Sequence, residues 1–147
     1  MEKLNFDSGI KEYEVNGNGI LRFNPGDPNV YGRLLDAVDK IKAIEAEMLD
    51  KGKQYTVKDG TEIVRLMVDT DKKVKTILQE VFGRQNDFDE IFGSVSVMAV
   101  AMNGERVITN FITAITPIVT AGAEQCAKQK IQTAVNEARE ARERRQK

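Results

Sequence analysis

Ile20-Leu21-Arg22-Phe23-Asn24-Pro25-Gly26-Asp27-Pro28 is where the apolar period of the chain changes. Up to Phe23, apolar and polar residues alternate, as on a strand with one buried face. Beyond Pro28, apolar residues recur every third or fourth position, as on a helix with one buried stripe. Asp27 stands where an N-cap would accept a backbone N–H. Pro28 follows at the first helical position, where its missing N–H costs nothing. This stretch therefore reads as the junction between a hairpin and a helix.

Upstream, Lys11-Glu12-Tyr13-Glu14-Val15-Asn16 places Tyr13 and Val15 on one face. Gly17-Asn18-Gly19 separates this run from the next and supplies residues that tolerate the positive φ of a tight turn. A hairpin over 11–24 follows. Downstream, Tyr31, Leu34, Leu35, Val38, Ile41, Ile44 and Met48 form one stripe, which predicts a helix over about 28–50 ended near Gly52. A polar link, Lys53 to Asp59, leads to Gly60-Thr61, and Thr61 is the expected cap of a second helix over 61–82. That helix carries Ile63, Leu66, Met67, Thr70, Val74, Ile77, Leu78 and Val81 on one face, and Gly83 stops it. Two amphipathic helices with matching stripes pack on each other.

The connector 84–93 holds Asp87, Asp89 and Glu90, but glycine falls at the seventh position rather than the sixth that a calcium loop requires. Acidic residues opposing a helix dipole at a helix start explain them better. Val95 to Met102 suits either a helix or a short strand, with helix preferred. A third helix is expected over 103–120 with Val107, Ile108, Phe111, Ile112, Ile115 and Val119 on its apolar side, bent or interrupted at Pro117. From 123 to 147 the seam narrows to Ala127, Ile131, Ala134 or Val135, and Ala138. Residues 137–147 carry five basic and three acidic side chains, a net +2, and form a good helix with little to bury.

These readings give a mainly α protein with a small N-terminal β-hairpin, an α+β class. Residues 1–122 form a single globular domain of three to four helices. Residues 123–147 form a charged, projecting C-terminal helix or tail. The 147 residues are enough for one such domain, burying roughly 70% of the surface an unfolded chain exposes.

Composition narrows the function classes. Histidine is absent, which removes a histidine base, a Ser-His-Asp or Cys-His nucleophile pair and any His-liganded metal. Cys126 stands alone, so an internal disulfide and a Cys-paired zinc site are excluded. Gly17-Asn18-Gly19 lacks the third glycine of a dinucleotide fingerprint, and no phosphate loop ending in Gly-Lys-Ser/Thr occurs. Asp69 and Asp71, two apart on a helix, point in different directions. No enzyme activity, cofactor or metal is expected. The net charge is -1, from 22 basic and 23 acidic residues, so no overall basic excess selects nucleic acid. Met1 to Asp7 has no apolar core or cleavage site of a signal peptide, and the apolar region 95–119 is broken by polar residues. The expectation is a cytoplasmic protein without a membrane partner.

The hairpin running into Phe23-Asn24-Pro25-Gly26-Asp27-Pro28, together with Val81-Phe82-Gly83, Asp89-Glu90-Ile91-Phe92-Gly93 and Asn110-Phe111-Ile112-Thr113-Ala114-Ile115, carries a resemblance. Over most of 10–120 the chain resembles the small tail assembly chaperones of long-tailed, siphovirus-like phages and prophages of Gram-positive bacteria. Between Gly83 and Phe92 it departs from them, since Arg84-Gln85-Asn86-Asp87-Phe88 replaces a Gly-Glu-Gly-Thr run. The resemblance implies a non-catalytic protein that binds the tape measure protein, helps recruit tail tube subunits in the host cytoplasm and is absent from the finished virion. A longer frameshifted form often accompanies such proteins.

The residues themselves suggest how such binding would work. A helical binder covers the apolar face of a long helical partner with its own stripe. Phe82, Phe92, Phe111 and Ile115 are the candidate apolar anchors, with packing of the protein's own core as the alternative for the phenylalanines; Arg139 and Arg142 are the candidate charged contacts, with a solvated helix face as the alternative. The alternative is a self-associating structural phage component, connector-like or scaffold-like, pairing as a homo-oligomer through the seam from Ala127 to Ala138.

Overall fold

The computed structural model describes residues 1–146, and the side chains of all of these except Val57, Lys130 and Gln146. The chain is mainly α with an N-terminal hairpin. Strand β1 is Lys11–Glu14 and strand β2 is Ile20–Phe23. They pair antiparallel, with Lys11 opposite Phe23 and Tyr13 opposite Leu21. The positive φ angles of the turn fall at Asn16 (53°) and Gly17 (73°), one residue earlier than Gly17-Asn18-Gly19 suggested. Asn18 N–H closes the turn onto the Val15 carbonyl, and Val15 N–H reaches the Gly19 carbonyl. Asn-Gly at the two central positions is the pair that such a turn favours.

Helix α1, Pro28–Gly52, begins as its sequence requires. The Asp27 carboxylate accepts from Asn29 N–H at 2.9 Å, and Pro28 occupies the first turn. Its buried stripe is Val30, Leu34, Ala37, Ile41 and Met48, so the core takes in Val30 and Ala37 while Leu35 stays exposed. The link to the next helix contains a short 3-10 turn, Val57–Asp59, in which the Asp59 carboxylate accepts from the Thr56 N–H and hydroxyl. Helix α2, Gly60–Phe82, therefore starts with Asp59 in the cap position, and Thr61 lies inside its first turn rather than capping it. Gly83, at φ 109°, ends α2. Helix α2 packs back on α1 through Val74, Leu78 and Val81, and Arg33 of α1 donates to the Val81 carbonyl at 3.0 Å.

One short helix, α3 (Phe88–Ile91), follows, capped by Asp87, whose carboxylate takes the N–H groups of Asp89 and Glu90. The run Val95 to Met102 is not a helix. Its backbone is used by its neighbours: Val97 N–H donates to the Asp71 carboxylate at 2.7 Å, and Val100 bridges Arg106. The carbonyls of Val97 and Ala99 accept the N–H groups of Ile108 and Val107. The segment thus satisfies the first orphan donors of the final helix instead of coiling itself.

Helix α4 runs from Val107 to Gln146, 40 residues and about 60 Å at the usual rise. It begins four residues later than expected, because Asn103 and Gly104 form the preceding turn. It also continues through Pro117. Pro117 faces solvent, while Ile115 and Val119 on either side are buried, and that burial offsets the roughly 3 kcal/mol of a lost helical bond. One 18-residue window of α4 reaches a mean hydropathy of 1.3, which by length and composition alone would suit a membrane span. In the fold, Ile108, Ile115 and Val119 of the same helix are core residues. From Ala127 to Arg145 every described side chain is exposed, so the distal half projects from the body; Lys147 lies outside the described residues.

Candidate partner-binding surfaces

Five of the six phenylalanines meet in one cluster. Phe23 of β2 stacks on Tyr13 with centroids 5.2 Å apart and meets Phe82 edge-on at 5.0 Å. Phe82 touches Phe88 and Phe111, and Phe111 meets Phe92 at 5.2 Å. Edge-to-face contacts of this kind hold a core together beyond the area they bury. The hairpin, the end of α2, α3 and the start of α4 all converge here. Phe82, Phe92 and Ile115 are buried and Phe111 is half-buried, so these four candidate anchors lie together but are already committed to the interior.

Arg139 and Arg142 lie elsewhere. They are exposed on the projecting half of α4, about 42 and about 46 Å along the helix from Phe111. Between them and the body, Ala127, Ile131, Ala134 and Ala138 face solvent along the expected seam. Arg144 pairs with Glu140 one turn earlier at 3.6 Å, and neither Arg139 nor Arg142 forms an ion pair among the described residues.

A trough runs between β1 and α4. Its wider part, about 680 Å³, is bounded by Gly9, Lys11, Asn24, Pro25 and Gly26 on one side and by Ala121, Gly122 and Cys126 on the other. Tyr13 and Ile118 line this part and also the narrower part, about 220 Å³, which continues to Val15, Leu21, Phe111 and Ile115. The narrow end is mostly apolar, and Phe111 and Ile115 form part of its floor. Small residues on α4 make the trough. At Gly122 a Cβ would stand 2.0 Å from the Pro25 carbonyl oxygen, so only glycine lets α4 approach the hairpin–helix junction this closely.

Two polar sites escaped the sequence reading. Asn86 is wholly buried. Its Oδ1 accepts from Arg22 N–H at 2.7 Å, and its amide donates to the carbonyls of Arg22 and Phe82, both at 3.0 Å. A single side chain thereby takes the place of a neighbouring strand along β2. The second site is Lys75, whose ammonium lies 3.1 Å from Asp71 and 2.8 Å from Asp89. Burial is the largest single influence and pulls its pKa down, but the hydrogen bonds to Asp89 and Asp71 and the attraction of their charges together outweigh this and leave it raised. Asp71 also holds Val97 N–H, so the site fastens α2 to α3 and to the loop before α4. Nothing in the spacing of positions 71, 75 and 89 announces this meeting. An ammonium between two carboxylates, all of them engaged, has the chemistry of a fastener. Among the described residues, no group of three or more metal-ligating side chains gathers.

No family model, curated protein or solved structure matches this chain.

Proposed function

We propose that the chain is a non-catalytic tail assembly chaperone that binds the tape measure protein and assists assembly of the tail tube. The observation that carries this reading is the distal half of α4. It is a helix of 20 residues, Ala127 to Gln146, with an apolar seam that no part of the described chain covers. A long helical partner can lie along such a seam, side chain to side chain, while Arg139 and Arg142 meet its acidic residues. The resemblance in 23–28, 81–93 and 110–115 supplies the identity of the partner. Phe82 and Phe92 then serve by fixing the start of α4, and thus the direction in which its distal half points.

On this reading the protein works in the bacterial host cytoplasm and is missing from purified virions. The test is a tagged pull-down from a producing lysate, with bound proteins identified by mass spectrometry. Recovery of the tape measure protein by the full chain, and its loss with Ile131→Glu, supports the reading. Stoichiometric copies of the chain in mature particles would instead support a self-associating structural component. The exposed apolar residues near the N-terminus are the observation that favours that alternative.

A further inference from the structure

The hairpin has two edges, and they are treated differently. Along β2, the Arg22 N–H and carbonyl are taken by Asn86, so that edge is blocked at Arg22. Glu12 stands opposite Arg22, and Glu14 opposite Ile20. Because ladder bonds alternate, the backbone groups of Glu12 and Glu14 point away from β2, toward an edge that none of the described residues occupies. This open edge borders the trough whose other wall is α4.

The same chain carries a strand with no seat. In Lys3-Leu4-Asn5-Phe6-Asp7, apolar and polar residues alternate, and all ten residues before β1 are exposed. Leu4 is 86% exposed and Phe6 79%; Phe6 is the one phenylalanine outside the aromatic cluster. The arm is held away from its own trough. Asn24 Nδ2 donates to the Ser8 carbonyl at 3.0 Å, and Asn24 Oδ1 accepts Gly26 N–H at 2.8 Å. This clamp, with Gly9 at φ 73°, fixes the root of the arm at the hairpin–helix junction. Folding back would require Asn24 to release Ser8.

We propose that residues 3–7 of a second copy of this chain add as a third strand to the free edge of β1, with Leu4 and Phe6 seated in the trough against α4. An antiparallel register that sets Leu4 beside Tyr13 also sets Lys3 beside Glu14. Glu14 has no ion-pair partner among the described residues, whereas Glu12 is already joined to Arg22 at 3.1 Å. The charge match selects this strand, and the charged β1 edge discourages indiscriminate pairing. Ile118 and Ala114 supply the facing wall. Reciprocal exchange of two arms closes the pair as a symmetric dimer.

The experiment is light scattering on the full chain over a wide concentration range, with circular dichroism to confirm folding. The wild type is expected at twice the monomer mass. An arm variant, Leu4→Asp with Phe6→Asp, alters only exposed side chains and is expected to be monomeric. A trough variant, Ile118→Asp or Ala114→Arg, is expected to be monomeric as well. Mixed together, the two classes should recover a dimer, since one brings an intact arm and the other an intact trough. A wild type that stays monomeric at every concentration overturns the proposal, whether its arm closes on its own trough or the trough takes another protein's strand. Variants that still associate, or a mixture that does not, overturn it equally. The readout is independent of the tape measure protein, so it stands or falls apart from the chaperone reading.

Discussion

Asn86 is a single polar side chain that joins β2 to the end of α2. It satisfies both backbone groups of Arg22 and a carbonyl at the end of α2 from a position with no solvent access. Each buried group left without a partner costs about 1–3 kcal/mol. Asn86→Leu is therefore expected to lower stability by about 3 kcal/mol or more, read as a fall in the urea midpoint. Lys75 makes a pH prediction. Its pKa is raised above the ordinary 10.5, so its ion pairs contribute fully below that value and the contribution is lost as pH rises through the higher folded pKa. The stability difference between wild type and Lys75→Met should stay constant up to about pH 10 and shrink above it. A difference that grows with alkaline pH would contradict this assignment. Neither role is visible along the sequence, since residues 64 apart for Asn86 and Arg22 meet only in the folded chain.

Among the elements, local chemistry decided some boundaries and tertiary contacts decided others. Asp27 caps with its own carboxylate, Pro28 carries a preset φ, and Gly83 turns with its own backbone, so α1 begins and α2 ends where the sequence places them. The start of α4 depends instead on Val97 and Ala99 carbonyls brought from a neighbouring loop. That is why an apolar run that looked helical became a paired loop. Gly122 offers a test at this scale. Alanine is better than glycine inside a helix by about 1 kcal/mol. Here, however, its Cβ would collide with the Pro25 backbone. Overpacking of this kind costs about 1–3 kcal/mol, so Gly122→Ala should lower the melting temperature despite its higher helix propensity. A raised melting temperature would show that α4 can move off the junction at no cost.

At the scale of the whole molecule, the body and the projecting helix have separate energetics. The aromatic cluster ties four segments of the body together, whereas residues beyond Ala127 bury nothing in the described chain. Deleting 128–147 is expected to change the unfolding free energy by no more than about 0.5 kcal/mol, as for surface changes generally. On the proposed chaperone reading, the same deletion should abolish capture of the tape measure protein. A large loss of stability would mean that the distal helix folds back on the body. Retained capture would move the binding surface to the trough or to the exposed faces of α1 and α2.

The sequence by itself determined the class of the fold, the hairpin, the two amphipathic helices and the weakness of the C-terminal seam. All of these depend on period, caps and turn residues within a few positions of one another. The resemblance and the apolar stripes also brought forward Phe82, Phe92, Phe111 and Ile115 as a group, as apolar side chains able to cover a helical face. Only the tertiary structure decided that the contacts are mutual and internal. It alone blocked one edge of the hairpin at Arg22 with Asn86, left the other open beside α4, and stranded Leu4 and Phe6 in solvent. Such outcomes depend on which distant groups arrive together, and local periodicity contains no record of that.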